Sequence, residues 1–453
     1  MAAAPAGRFS AGFRRTFEAL DVPGYRILWW GTLFSFIGMQ MQVVARGYLA
    51  FDLTRSNTAL GGVMIAFGIP QLLLSLYGGT VADRLAKRNV IIFWQSMIAL
   101  ASALMAVAIF ADVVAYWMLI ASGVATGASF SFIGPARQAF IGDLVPARLM
   151  GNAIVLQQAN MNGTRVVGPA LAGALIAVPL IGMGGVYALT TIGFIFSVVT
   201  MFKLPPGRPR QGTTNHSALQ ATREGISYVR QNRPVAILIS MSFLVVALGF
   251  PYQGFLASIT RDEFDRGAIG LGLLSSMTAV GALAATLSVA TLTGHRHVWR
   301  MQALAGIAFG LSLVAFGASP SFGTGLLIAL CVGATASGFQ SLNSALTMTL
   351  TEPRYFGRVQ ALMGLSWSLF GIISLPLGIV ADAIGIRSTL MLMGLASIIS
   401  ILVLWFIGRV VNAESEMAER RALARQEVFE RTPPPATEEI PRPAAEATGP
   451  AGH

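Results

Sequence analysis

The chain has 453 residues, of which 54% are hydrophobic and 11% charged. A soluble protein of this length needs far more charge to cover its surface, so a globular, water-surrounded fold is excluded. The net charge of +11 would suit a nucleic-acid binder, but a cytoplasmic excess of arginine and lysine in a membrane protein accounts for it, and no nucleic-acid partner is expected.

The first 24 residues hold no apolar core, so no cleavable signal peptide is read there; residues 1–24 are taken as a cytoplasmic segment. From Tyr25 to about Val411 long apolar runs recur. A helix needs about 20 apolar residues to cross about 30 Å of hydrocarbon. The runs are too long, and lack the period of two, that a β-barrel requires. Twelve spans are predicted: 26–50, 59–81, 89–111, 115–142, 150–177, 183–204, 235–257, 268–293, 299–318, 322–349, 358–381 and 387–410.

Charged and aromatic residues at the first span, Arg26, Trp29 and Trp30, suit an interfacial anchor, and the span itself carries Gln40, Gln42 and Arg46. Between spans 2 and 3 the stretch "LYGGTVADRLAKRNVI" packs Asp83, Arg84, Lys87 and Arg88 behind Gly78 and Gly79. Span 4 carries Arg137, Gln138 and Asp143 in "GPARQAFIGDLVP". Span 5 reads "VLQQANMNGTRVVGPALAG". At about 100° per residue Gln158, Asn162, Arg165 and Pro169 fall on one stripe. An arginine there is costly and needs a water-filled cavity or a partner. Either a structural salt bridge or carbonyl cap, or a cavity charge that attracts an anionic or polar group of a substrate, satisfies that need.

Lys203 to Pro234 is the longest interior polar stretch and divides the spans six and six; 205–234 is taken as a cytoplasmic linker, with a surface helix expected over 217–231. Span 7 holds Gln253, and span 10 holds Gln340, Asn343, Ser344 and Thr347. Beyond Val411, residues 412–431 read as a polar helix; the Pro-, Ala- and Glu-rich end reads as disordered. The resulting division is 25–204 and 235–411 for the two halves and 412–453 for a cytoplasmic tail.

Basic residues choose the orientation. With the N-terminus inside, Arg84, Lys87, Arg88, Arg148, Lys203, Arg223, Arg230, Arg233, Arg300 and Arg358 share one face, and the other collects little beyond Arg55, Arg261, Arg266 and Arg387. Both termini are therefore expected in the cytoplasm. The halves also echo each other: Pro146 pairs with Pro353 and Pro169 with Pro376, both 207 residues apart. Internal repeats of this kind mark transporter folds, and six intervening spans make these repeats parallel.

Gly79, Asp83, Arg84, Lys87 and Arg88 follow the spacing G-x-x-x-D-R-x-x-(K/R)-R, which resembles the signature loop of the major facilitator superfamily. Ala86 stands where that family often has glycine. The resemblance covers about residues 20–411 and implies an all-α membrane protein with twelve transmembrane helices in two pseudo-symmetric six-helix bundles. It implies that Asp83 faces the start of span 11, forming a latch that holds the cytoplasmic ends together. Topology enforcement alone explains the basic residues but gives Asp83 no role. Gly163, Gly168, Pro169 and Gly173 resemble the fifth-helix motif of the family's exporters, whose small residues let helices of opposite halves pack closely. Span 4 resembles the branch that includes siderophore and macrolide exporters, where Arg137 and Asp143 pair structurally with the signature loop. Spans 1, 4, 7 and 10 line the cavity in this family, which makes Gln40, Arg46, Arg137, Gln253, Gln340 and Asn343 candidates alongside Gln158, Asn162 and Arg165; Arg46 alternatively sits at the outer interface. "GIVADAIGIR", with Gly378, Asp382 and Arg387, falls on the outer side and reads as a tight external turn.

No Asp or Glu lies near the middle of a span. Coupling is left open between protons carried by an end-of-span acid such as Asp52, substrate charge balanced by Arg165, and no ion at all. The single cysteine, Cys331, excludes an internal disulfide, and the four histidines lie in polar segments or at the terminus. No metal site, cofactor, GxxxxGK phosphate loop or nucleophile–base pair is read, and the chain is not expected to be an enzyme. The expectation is a monomeric secondary active transporter of the plasma membrane, of the bacterial inner-membrane type. It would work by alternating access and export a bulky lipophilic or amphipathic small molecule such as a drug or a siderophore-like metabolite, as an antiporter conferring drug resistance would. Import of a metabolite, transfer of a lysolipid, or service as a non-transporting scaffold or assembly factor are the alternatives.

Overall fold

The computed structural model describes residues 17–207, 218–290, 298–352 and 355–431. It is helical throughout, with no strand among the described residues. In chain order the helices are α1 (Pro23–Thr54), α2 (Asn57–Arg84), α3 (Lys87–Phe110), α4 (Tyr116–Leu144), α5 (Met150–Ile176), α6 (Gly182–Phe202), α7 (Ala218–Gln231), α8 (Arg233–Leu248), α9 (Tyr252–Ser258), α10 (Ala268–Ala290), α11 (Val298–Gly317), α12 (Phe322–Leu350), α13 (Phe356–Ile384) and α14 (Ile386–Arg431). The predicted seventh span is α8 and α9 together, continued by a π-helical turn, Ile259–Glu263. The expected surface helix is α7. Gly79 and Asp83 belong to α2, but their side chains lie outside the described set, as do residues 208–217, 291–297 and 432–453, where the disordered tail was expected.

Local chemistry sets the boundaries. Ser56 caps α2 by accepting from the Ala59 amide, and Asn232 caps α8 by accepting from Val235; each satisfies an amide that the first turn leaves without an intrahelical partner. Gly385, with φ of 86°, makes the sharp turn between α13 and α14, which a side chain would strain.

Polarity is arranged inside out. On α3, Phe93, Leu100, Leu104, Val107 and Phe110 are exposed, whereas Gln95 and Ser102 are buried. A helix whose leucines face outward and whose glutamine faces inward is solvated by lipid, not water. Eleven helical stretches among the described residues are long and apolar enough to span a bilayer. The exception among the expected twelve is α5. Its 27 residues amount to about 40 Å at 1.5 Å per residue, which is ample length; glutamines, asparagines and Arg165 make it too polar.

Helix pairing repeats across the chain. The pairs α2–α4, α3–α4 and α1–α5 recur as α10–α12, α11–α12 and α8–α13. Two further pairs, α5–α10 and α2–α13, join the first six spans to the last six and are themselves equivalent under that repeat. Twelve spans thus form two equivalent sets of six. Pro169 on α5 and Pro376 on α13 sit at these crossings: Gly272 of α10 packs on the Pro169 carbonyl, and Gly61 of α2 packs on Ser374 and Leu375. Residues Ile407–His453 form a separate unit, of which the helix through Arg431 is described.

Candidate functional site

At the basic end, where α2 finishes and α3 begins, the charges pair within the first six helices. Lys87, 1% exposed, donates to the Asp143 carboxylate on α4 at 2.6 Å. Arg88 donates to the Leu204 carbonyl after α6 at 2.9 Å. Arg84 is exposed. A linker contact joins α7 to α13 through Glu224 and Arg358 at 2.6 Å and through the stacked rings of Tyr228 and Tyr355, 4.1 Å apart.

The opposite end is tied across the halves. Asp382, in the last turn of α13, accepts from the Ser56 hydroxyl at 2.7 Å and from the Asn57 and Thr58 amides at 2.7 and 2.9 Å. A carboxylate from one half thus caps a helix N-terminus of the other, where both the free amides and the helix dipole favour it. The segment read as a tight external turn does turn sharply at Gly385, and it also makes this cross-half contact. Beside it Arg261, in the π-turn, pairs with Asp52 of α1 at 2.9 Å and donates to the Tyr48 hydroxyl at 2.7 Å. Arg387 pairs with Glu263 and donates to the Ser319 carbonyl.

The two crossings close at this end and splay at the other. A methyl on Gly173 of α5 would stand 2.7 Å from Gly272 Cα and 2.8 Å from the Ala268 carbonyl of α10; one on Gly68 of α2 would stand 2.9 Å from Gly371 Cα of α13. On the same face of α13, seven residues toward the basic end, Gly364 meets nothing within 4 Å. Along α5, Ser276 of α10 still reaches the Val166 carbonyl at 3.4 Å, while Arg165 and Gln158 are exposed and Asn162 is partly so. Gln158 and Asn162 touch only loosely, at 3.5 Å. Faces that pack at one end are thus uncovered at the other.

Arg165 is exposed, on the stripe it shares with Gln158 and Asn162. Tyr252, at the start of α9 in the other half, is buried. Gln253 is exposed, and Gln40 and Gln340 are partly exposed; the Gln340 amide oxygen has no hydrogen-bond partner. Tyr252 carries no signal in the sequence beyond its place after Pro251, at the break between α8 and α9.

Three expected cavity residues are not there. Asn343 is fully buried. It accepts from Gln302 at 3.0 Å and donates to the Leu238 carbonyl at 3.2 Å, which binds α12 to α8 and α11. Arg46 is buried against α4, donating to Thr126 at 3.0 Å and Ser122 at 3.5 Å, and so lies inside the first half and not at the outer interface. Arg137 is buried with its guanidinium 4.7 Å above the Phe36 ring; of the two span-4 groups expected to pair with the signature loop, Asp143 meets Lys87, and Arg137 makes no ion pair with that loop among the described residues. The fifth-helix motif also divides. Gly173 and Pro169 meet α10 of the opposite half, Gly168 packs on Gln40 of α1 in its own half, and Gly163 packs on nothing within 4 Å. Among the described residues Arg46, Arg137 and Arg165 make no ion pair, and no group of three or more His, Cys, Asp or Glu forms a metal site.

Comparison with known proteins adds independent findings. A family model described as transmembrane secretion effector matches residues 15–433. Macrolide efflux protein A of Streptococcus pyogenes is 21% identical over 81% of this chain and 91% of its own length. The staphyloferrin A transporter of Staphylococcus aureus is 22% identical over 84% of this chain and 95% of its own. Among solved structures, a bacterial homolog of the human lysosomal transporter Spinster, inward-facing and unoccupied, superposes with a TM-score of 0.69 at 13% identity, covering 85% of this chain and 96% of that one. The nucleoside transporter NupG gives 0.67 at 15% identity, covering 84% and 98%. At such identities these structures speak for the fold.

Proposed function

Because the chain belongs to the transmembrane secretion effector family, within the major facilitator superfamily, we propose that it exports a bulky amphipathic small molecule from the cytoplasm by alternating access. The relatives named for macrolide efflux and for a siderophore support a cargo of that size and character. The basic end faces the cytoplasm, since arginine and lysine accumulate there, and the membrane is the plasma membrane of a bacterium.

The observation that carries this reading is the splay of the two crossings. α5–α10 and α2–α13 are in backbone contact at the opposite end and lose that contact toward the basic end. That geometry belongs to the state that admits cargo from the cytoplasm. In the reverse state the crossings close at the basic end, where Asp83 of the signature loop meets the start of α13, and the Asp382 and Asp52 contacts release. Binding of cargo acts by changing the balance between two states, to the extent that it prefers one.

The test is directional labelling. With Cys331, which is exposed, replaced by serine, Asn162→Cys reacts with a membrane-impermeant maleimide in inside-out vesicles and is protected in right-side-out ones. Equal reaction from both sides, or reaction only from outside, overturns the assignment. Transport is read as uptake of a fluorescent drug into inside-out vesicles. Asp83→Asn abolishes it while leaving the amount of inserted protein unchanged; a scaffold would tolerate that change.

A further inference from the structure

We propose that the outer groove between α1 and α6 binds one anionic phospholipid, its phosphate flanked by Arg26 and Lys203 and its acyl chain laid along Trp30, Phe34, Phe196 and Val199. The proposal goes beyond the transport reading and stands whether or not a cargo moves. Its ground is the convergence of two exposed stripes. On α1, Arg26, Trp30 and Phe34 follow one another at four-residue steps and are all exposed. On α6, Phe196 and Val199 are exposed, and Lys203, directly after the helix, continues their row. The stripes meet where the Phe34 and Phe196 rings pack edge to face, their centroids 4.7 Å apart. At that level a methyl on Gly193 of α6 would stand 2.9 Å from the Phe34 carbonyl oxygen, so the two backbones touch.

Toward the basic end the groove opens. Gly31 of α1 faces α6, packing on Thr200, Met201 and Ser197. At about 100° per residue, Phe34 stands about 60° round the helix from Gly31, Trp30 about 100° and Arg26 about 140°. Each turn toward the start of α1 thus carries its stripe further from α6, and the groove is pinched at Phe34 and wide at Arg26. Arg26 lies in the first turn of α1 and Lys203 caps α6, which puts both at headgroup depth, with Phe34 about 12 Å deeper than Arg26. Both cations are exposed, and neither makes an ion pair among the described residues. The two neighbouring tryptophans divide. Trp29 turns its indole N–H inward onto the Leu156 carbonyl at 3.1 Å, whereas Trp30 is 45% exposed on the groove side. An indole at that depth can donate to a phosphate or ester oxygen while its ring lies on the first methylenes. Orientation of the chain in the membrane explains two cations at this end, but not an aromatic-lined groove running between them. Cations beside such a groove favour an anionic headgroup over a zwitterionic one.

The experiment measures the apparent Kd of the first bound lipid by native mass spectrometry of the full chain in detergent, with dioleoylphosphatidylglycerol and with dioleoylphosphatidylcholine. The unmodified protein is expected to hold phosphatidylglycerol about fivefold or more tighter, and Arg26→Gln combined with Lys203→Gln to remove that preference. Arg223→Gln combined with Arg230→Gln takes the same charge from exposed positions on α7 and is expected to leave the preference within about twofold. Equal loss in the two double variants means diffuse attraction to a basic surface and overturns the site, as does the lack of a preference in the unmodified protein. Displacement of bound lipid by millimolar glycerol 3-phosphate overturns the lipid assignment, because the groove then adds nothing to the phosphate. Should the Arg26 and Lys203 double variant not reach the membrane, Trp30→Leu carries the test: it weakens phosphatidylglycerol binding about threefold or more, and an unchanged affinity overturns the site.

Discussion

Asn343 and Arg165 are both polar residues within spans, and burial separates their duties. Asn343 spends its amide on Gln302 and on the Leu238 carbonyl, with no surface left for a ligand. Asn343→Leu therefore removes two bonds and leaves the Gln302 amide nitrogen only its contact with the Met241 sulfur, a cost of about 1–3 kcal/mol. The expected outcome is a lower melting temperature in detergent with KM for any transported dye unchanged; a raised KM at normal stability would return Asn343 to the cavity. Lys87 behaves likewise at the surface of the bilayer. Its ammonium is buried and its partner Asp143 half-exposed, so Lys87→Met leaves a carboxylate without its cation and lowers thermal stability, whereas Arg84→Gln, at an exposed position, leaves it within experimental error.

At the scale of the helix, α5 shows how one stretch of sequence does two jobs. Its upper turns carry Pro169 and Gly173, small enough for α10 to approach backbone to backbone; its lower turns carry the polar stripe and stay uncovered. Two glycines of one motif should then respond oppositely to the same change. Gly163→Ala places a methyl in open space and gains about 0.5–1 kcal/mol of helix propensity, raising the melting temperature with transport intact. Gly173→Ala drives a methyl to 2.7 Å from Gly272 Cα. Closure at that end then requires α10 to move away, and transport falls tenfold or more. Similar responses at the two glycines would refute the assignment of the crossing.

For the whole molecule, the opposite end is held by a few identifiable contacts, so the balance of states should be adjustable from there. Asp382 accepts two bonds from the first amides of α2 and one from its capping residue Ser56. A hydrogen bond to a charged group contributes about 1.5–3 kcal/mol, less where water reaches it. Asp382→Ala is thus expected to shift the population at least fivefold toward the state open at that end. The readout is Asn162→Cys becoming reactive to impermeant maleimide from outside; reactivity confined to the cytoplasmic side would show that the glycine crossings hold that end closed alone. The spacing Gly378-x-x-x-Asp382 repeats Gly79-x-x-x-Asp83. In both cases the glycine–acid pair lies near the end of a helix that crosses to the other half.

The sequence by itself determined the solvent, the number of spans, the repeat and the family. Each follows from patterns that survive without coordinates: apolar length against bilayer thickness, the distribution of arginine and lysine, paired prolines at a constant offset, and a short loop of fixed spacing. Even the polarity of α5 was legible, because a stripe of Gln158, Asn162 and Arg165 shows on a helical projection. Only the tertiary structure decided which polar groups face the crevice and which are consumed inside a half. Arg46, Arg137 and Asn343 have the same composition signal as Arg165, and the rotation and splay of neighbouring helices assign them different surroundings. The same holds for Asp382: a carboxylate near a helix end is ordinary in sequence, and it becomes a cross-half cap because α2, more than 320 residues earlier, begins within hydrogen-bonding distance of it. Such contacts arise between segments remote in the chain, which local pattern does not encode.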